Sequence, residues 1–458
     1  MQEMADQCMS DEVVVEEEEV ILVKPAGAAG HGRHYLYLSS LDLCWRGAPY
    51  SRRVLFYEKG RDTIEPLQVE AMVTKLKSSL AQVLQAFYPA AGRLVPPHHP
   101  NSGRPSIFCN DQGVEFIVAR VNAPLSLLQY WPRFLHSLAR SYPPSQLLVD
   151  QHLLPLLSVQ VTKLFCGGLA IGISYCNILA DGHSFWHLMN SWAECARDEV
   201  ISIQPCHNRE VFKVAYPSED VATQFFLPTC NVANPEDLTP NAEVHKLLHF
   251  TTMMIKKIKC QAYEDLHGAP IATPLTDYDV LCAFVWKIAI ASSTNSSKQD
   301  LLSSNICVLG DMRFRMEPQL PRGYFGNATI FAYASASKQA LKEGSIGSIA
   351  LQIVEACKAC NEPRLWGIVN WLELHDSFFN AKNLPWRVSD INVASSPRFK
   401  VYNVDFGWGK PIIARPSQFS NNHDMFLFPG RHGGIDIYLA WPASLVNQVL
   451  QKLNELST

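Results

Sequence analysis

The sequence predicts a mixed α/β fold built in two halves, and three observations carry that prediction. The chain has 458 residues, more than one ordinary hydrophobic core organises. Period-2 alternation and 3.6-residue periodicity both recur, and both occur in each half. From about Pro205 to Pro240 the periodicity fades into charged residues, prolines and Asn231-Val232-Ala233-Asn234-Pro235, the composition of a linker or crossover. These observations divide the chain into an acidic disordered leader over residues 1–19, a first domain over 20–204, a linker over 205–240 and a second domain over 241–458.

The elements follow in order. Asp11-Glu12 and Glu16 to Glu19 make the leader acidic and poor in core-forming residues. Val20-Ile21-Leu22-Val23 reads as a first strand stopped by Pro25. Met72, Leu76, Leu80, Val83, Leu84 and Phe87 repeat at helical spacing, so an amphipathic helix is expected over about 66–87, ended by Tyr88-Pro89. Leu169, Ile171, Ile173 and Tyr175 alternate with Ala170, Gly172, Ser174 and Cys176, the pattern of a strand covered on both faces. Asp181-Gly182 turns the chain, and Phe185, Leu188, Met189, Trp192, Ala193 and Ala196 then follow a helical stripe. The second half predicts helices near 275–292 and 345–361 and strands at 305–310, 400–404, 425–428 and 435–440. Leu445, Val446, Val449, Leu450 and Leu453 make a last amphipathic helix.

Composition is that of a soluble globular protein, 47% hydrophobic and 18% charged. The net charge of −4 and the absence of Lys/Arg clusters argue against a nucleic-acid partner. The acidic start is unlike a secretory signal, and the longest uncharged stretch, Leu164 to Ala180, is short and polar for a membrane span. A cytoplasmic protein is expected. Thirteen scattered cysteines, an odd number, point to reduced thiols. Cys357-Lys358-Ala359-Cys360 is a lone CxxC without the second pair that zinc requires, and reads as two thiols one helical turn apart. His98-His99 sits in a Pro-rich loop, where such pairs are more often solvated than metal-bound. No GxSxG elbow, P-loop, GxGxxG or HExxH is present, and no metal site is expected.

The most informative residue is Asn177, in Tyr175-Cys176-Asn177-Ile178-Leu179-Ala180-Asp181-Gly182, between the doubly covered strand and the helix. A strand-to-helix loop is where a rigid scaffold presents side chains for chemistry. Asp405-Phe406-Gly407-Trp408-Gly409 stands near the C-terminus. Tyr88-Pro89-Ala90-Ala91-Gly92-Arg93-Leu94 and the stretch from Asp311-x-Arg313-x-Arg315 to Tyr324-Phe325-Gly326-Asn327 complete an ordered set. Together these motifs resemble the plant BAHD acyl-CoA-dependent acyltransferases, whose signature is His-x-x-x-Asp-Gly with Asp-Phe-Gly-Trp-Gly. The departure is at Asn177, which stands where the family has its histidine.

The resemblance implies a two-domain fold like chloramphenicol acetyltransferase with an inter-domain tunnel, a small-molecule acceptor, acyl-CoA as co-substrate, no bound cofactor and a monomer. It implies that Asp181 is structural, a partner of Arg313, and that Gly182, Asp405, Phe406, Gly407, Trp408 and Gly409 are structural too. Ser395 and Ser396, before Pro397, match a region that contacts the oxyanion in some relatives, and are equally turn-type residues. An amide cannot hold a proton near pH 7, so Asn177 cannot act as the family's base. It is expected to orient acceptor or carbonyl. His183 is the nearest candidate for a substitute base, with His187 one turn further on, although a solvent-facing first-turn residue is the plainer reading of His183. Three functions stay open: acyl transfer to a hydroxyl, amine or carboxylate; a CoA-independent elimination on the same scaffold, as in a histidine-lacking lyase relative; and acyl-CoA binding without catalysis.

Overall fold

The computed structural model describes residues 14–27, 32–46, 48–58, 66–96, 104–123, 125, 132–142, 153–222, 243–267, 272–291, 303–375, 391–417 and 424–457. His98-His99 and the second half of the expected linker, 223–240, lie outside these residues. The chain forms two compact units. The first takes residues 1–213, 321–327 and 400–418, and the second the remainder. Neither unit is contiguous, whereas the sequence reading divides the chain once, around 205–240.

The first unit carries β1 (Val15–Val23), β2 (His34–Leu36), β3 (Ser51–Tyr57), β4 (Arg93–Val95), β5 (Ser106–Cys109), β6 (Val114–Val121), β7 (Leu157–Leu164) and β8 (Leu169–Tyr175). The second carries β9 (Glu243–Phe250), β10 (Ser303–Asp311), β11 (Thr329–Ser337) and β12 (Ile391–Ala394). The chain then returns to the first unit for β13 (Ile413–Pro416) and to the second for β14 (Asp424–Pro429) and β15 (Ile435–Pro442). The main sheet of the first unit has the order β1-β6-β7-β8-β3-β13, and β2-β5-β4 form a small second sheet. The sheet of the second unit has the order β11-β10-β12-β14-β15-β9. β13 explains the return of 400–418: it pairs antiparallel with β3, Ile413 opposite Phe56 and Pro416 opposite Arg53, and so closes an edge of the first sheet.

Among the described residues the first unit has two long helices, α1 (Pro66–Ala86) and α2 (Gly182–Ala196). α1 buries Val73, Leu76, Leu80, Val83 and Leu84, and α2 buries Phe185, Leu188, Met189, Trp192 and Ala193, the stripes that periodicity predicts. Trp192 donates its Nε1–H to Ser79 Oγ at 3.0 Å, which satisfies a buried indole between the two helices. Tyr175 at the end of β8 stacks on Phe185 with ring centroids 4.4 Å apart, fixing the angle between strand and helix. The second unit packs α3 (Thr252–Asp265), α4 (Asp277–Ala291), α5 (Ile346–Ala359), α6 (Glu362–Leu374) and α7 (Ala443–Ser457) with its sheet.

Two expectations are corrected. Glu16 to Glu19 are part of β1, not of a disordered leader, and β1 pairs antiparallel with β6 around a bulge at Glu17/Glu19. Each carboxylate meets a cation: Glu16 with Arg120 (2.6 Å), Glu17 with Arg140 (2.9 Å), Glu18 with Lys163 (2.6 Å) and Glu19 with Lys77 (2.5 Å). Like charges in succession are tolerated on an edge strand when its neighbours supply counter-charge. The expected strand at 400–404 is instead a 3-10 turn, Val401–Asn403. Its amides bond locally, Asn403 N–H to the Lys400 carbonyl (3.2 Å) and Asp405 N–H to the Asn403 carbonyl (2.8 Å), so none extends into a ladder there.

Candidate active site

The Asn177–Asp181 loop leaves β8 and starts α2. Asp181 is the N-cap of α2, its Oδ1 accepting from Ser184 N–H at 2.9 Å in extended backbone geometry. The carboxylate also faces the positive end of the helix, which stabilises a mostly buried charge. Ser184 Oγ donates to the Gly326 carbonyl (2.8 Å) and accepts from Gly326 N–H (3.1 Å). The Tyr324-to-Asn327 stretch is thereby bound to the first turn of α2.

Asn327 is the second anchor. Its Nδ2 donates to the Asn177 carbonyl (2.9 Å), the Ile178 carbonyl (3.3 Å) and Asp42 Oδ1 (3.0 Å). Its backbone N–H donates to the same Asp42 oxygen at 3.0 Å. Asp42 caps the short helix Ser40–Leu43 reciprocally with Ser39, whose N–H and Oγ each donate to Asp42 Oδ2 at 2.8 Å. Arg209 completes the network. It pairs with Asp42 at 3.1 Å and donates to the Ile178 (3.1 Å) and Leu179 (2.7 Å) carbonyls. The Arg209 and Asp42 side chains are both 0% exposed. Three consecutive loop carbonyls, 177 to 179, are therefore held by buried donors that share one counter-ion. Sequence reading gave no role to Asp42, Arg209 or Ser51. Asn327 entered only as the end of a motif.

The side chain of Asn177 is held at both ends. Nδ2 lies 2.7 Å from the Pro49 carbonyl, and Oδ1 lies 2.6 Å from Ser51 Oγ. A carbonyl only accepts, so the nitrogen must face Pro49 and the oxygen must accept the Ser51 hydroxyl. One amide N–H remains to be directed elsewhere. Among the described residues no imidazole is hydrogen-bonded to the Asn177 side chain. His187 donates its Nε2–H to the Ile203 carbonyl at 2.8 Å and meets the Phe87 ring edge-on at 5.0 Å. His183 lies half-buried in the first turn of α2.

Asp405 to Gly409 form a self-bonded turn. Asp405 Oδ1 accepts from Gly407 N–H and Gly409 N–H, each at 2.9 Å. Both glycines are left-handed, φ +106° and +108°, which side chains strongly disfavour. Phe406 packs against Trp192 at 4.7 Å and Tyr57 at 5.9 Å, Trp408 stands edge-on to Tyr57, and Tyr57 Oη donates to the Val404 carbonyl at 2.8 Å. Arg197, at the end of α2, donates to the Asp405 carbonyl.

The other sequence candidates lie in the second unit. Arg313 is buried and pairs with Asp311 at 3.0 Å, and Arg315 Nη1 caps the end of α5 through the Cys357 (2.6 Å) and Cys360 (2.9 Å) carbonyls. The Cys357 thiol is pushed up to about 12 by burial and then by Asp279. Ser395 follows β12 at φ +69°, and Ser396 Oγ accepts from Arg398 N–H at 3.2 Å within the turn. Among the described residues no group of three or more His, Cys, Asp or Glu side chains is arranged to hold a metal ion. No helix among them is long and apolar enough to cross a membrane.

Comparison with known proteins decides the family. The model of the transferase family matches residues 13–455. BAHD acyltransferase DCR of Arabidopsis thaliana is 29% identical, covering 92% of this chain and 88% of its own length.

The chain belongs to the BAHD acyltransferase family.

Solved structures agree on architecture. Vinorine synthase superposes with a TM-score of 0.71 at 23% identity, covering 97% of this chain and 98% of that one. TRI101 of F. graminearum, complexed with coenzyme A and deoxynivalenol, gives 0.75 at 16% identity, covering 91% and 97%. The fold of this BAHD member is the two-domain, chloramphenicol acetyltransferase-like one.

Proposed function

We propose that this BAHD acyltransferase moves an acyl group from acyl-CoA to a small plant metabolite, and that Asn177 acts as a hydrogen-bond donor where the family has a base. One observation carries the reading: the amide of Asn177 is oriented by the Pro49 carbonyl and the Ser51 hydroxyl, with one N–H left over. That N–H suits a carbonyl or developing oxyanion of the thioester, where a preorganised donor contributes most. Without a base, the acceptor must bring its own nucleophile, a carboxylate or a neutral amine of low pKa. That nucleophile bonds to the thioester carbon, the carbon–sulfur bond breaks, and CoA leaves as the thiolate, which takes up the N–H proton released when the nucleophile is an amine. In this reading Asp181, Gly182 and Asp405 to Gly409 are structural, as is Arg313 within its own unit, and Ser395 and Ser396 are turn residues. The working protein is a cytosolic monomer with acyl-CoA as co-substrate and no bound cofactor.

The test offers purified protein acetyl-, benzoyl- and hydroxycinnamoyl-CoA with carboxylate, amine and alcohol acceptors and measures free CoA. Release with carboxylates or weakly basic amines, exceeding that with alcohols, is expected. No release above a blank with any pair overturns the reading and favours CoA-independent elimination or binding without catalysis.

A further inference from the structure

The face of the first sheet that bears Ser174 carries a polar row which the acyl-transfer chemistry leaves unused. Ser158 on β7 is opposite Ser174 on β8, Ser174 is opposite Arg52 on β3, and Ser417 donates its N–H to the Arg52 carbonyl at 3.1 Å just beyond β13. Directly opposed residues of antiparallel strands share a face, with neighbouring strands about 4.8 Å apart. Glu115, opposite Ser158 on β6, ends the row and is paired with Arg140 at 3.2 Å. Arg415, opposite Val54, puts another buried guanidinium on this side of the sheet.

Arg52 is 7% exposed, and no carboxylate among the described residues pairs with it. Its contacts are two long ones to a single residue, Nη1 to the His136 carbonyl (3.4 Å) and Nη2 to His136 Nδ1 (3.3 Å). The guanidinium only donates, so His136 Nδ1 accepts and the ring is the neutral Nε2–H tautomer. Burial, and then Arg52 itself, hold the His136 pKa below its ordinary value, so that ring brings no charge of its own at neutral pH. On either side of Arg52 in the row, Ser174 Oγ and Ser417 Oγ are buried at 0% residue exposure with no hydrogen-bond partner. A buried cation without counter-charge, flanked by two unpartnered hydroxyls, is an arrangement of donors that lacks its acceptor. The site is small. Leu138 and Ala139 press on the neighbouring position of β8, where a Cβ on Gly172 would lie 1.7 Å from the Leu138 oxygen.

We infer that Arg52, Ser174 and Ser417 form a binding site for a small monoanion, of the size of chloride or formate, inside the first unit. The anion accepts from the guanidinium and both hydroxyls and supplies the missing charge. Its occupancy links the stability of the unit to the anion present.

The experiment follows thermal unfolding of the full chain in chloride-free buffer, titrated with sodium chloride, sodium formate or, at equal ionic strength, sodium gluconate, whose anion is too bulky. For the native sequence, a saturable rise in melting temperature with chloride and formate, exceeding that with gluconate, is expected. Arg52→Gln should abolish the excess. Ser174→Ala should weaken the apparent anion affinity by about tenfold, as loss of one charge-assisted hydrogen bond does. Equal responses to formate and gluconate, or an unchanged excess in Arg52→Gln, overturn the inference. If Arg52→Gln does not fold, the Ser174→Ala/Ser417→Ala double variant decides in its place, since it keeps the charge and removes only hydroxyls without partners.

Discussion

Arg209 and Arg52 both carry a guanidinium into the interior of the first unit, at 1% and 7% residual exposure. Arg209 meets a fully buried carboxylate and two loop carbonyls. Arg52 meets the main chain and ring of one neutral histidine. A buried charge is costly unless it is paired and hydrogen-bonded, so the two positions do different jobs. Arg209 belongs to the scaffold: together with Asp42 and Asn327 it fixes the carbonyls of the loop that presents Asn177. Arg52 is hydrogen-bonded but has no carboxylate partner among the described residues, and the inferred anion site rests on that missing counter-charge. Buried charge by itself says little about role, and the partner set decides.

Removing one member of each cluster tests that contrast. Asp42→Ala leaves Arg209 uncompensated and is expected to lose about 3–5 kcal/mol of stability in urea denaturation. Arg52→Met, in chloride-free buffer, removes a charge that has no partner, and is expected to fall between no change and a gain of about 1–4 kcal/mol. Similar losses in both variants would break the comparison. Asp181 sharpens it from a third side, because its carboxylate is compensated by the start of α2. Asp181→Ala is expected to cost about 1 kcal/mol in the same assay, and a loss as large as that of Asp42→Ala would place Asp181 in the scaffold network.

Much of this was legible in the sequence, for reasons that can be named. The stripes of α1 and α2 and the doubly covered β8 follow from periodicity because each buries one definite face. The Asp405–Gly409 turn is written in its residue types: an Asp that accepts two amides and two glycines at positive φ. The first half of β1 was missed because four successive glutamates look like solvated chain, and their cations lie far away in sequence, at Lys77, Arg120, Arg140 and Lys163. The network that holds the Asn177 loop was missed for the same reason. Asp42, Arg209 and Asn327 come from three distant segments, and one Asp in Ser39-Ser40-Leu41-Asp42 looks like a helix cap and nothing more. Ser51 and Pro49 carry no motif, yet they decide which way the Asn177 amide points.

The central claim is that the loop keeps its architecture while position 177 offers a donor in place of a proton acceptor. Asn177→His tests it most directly, because an imidazole has one N–H for the Pro49 carbonyl and a second nitrogen free to accept. CoA release from an acyl-CoA with an alcohol acceptor, measured from pH 5 to 9 for native and variant proteins, should show a gain of about 10²-fold or more in the variant. The variant's rate should rise through the ordinary imidazole range near pH 6.5, a step that the native protein lacks. A folded Asn177→His protein that gains nothing, or a native protein that already shows the imidazole step, would contradict the account.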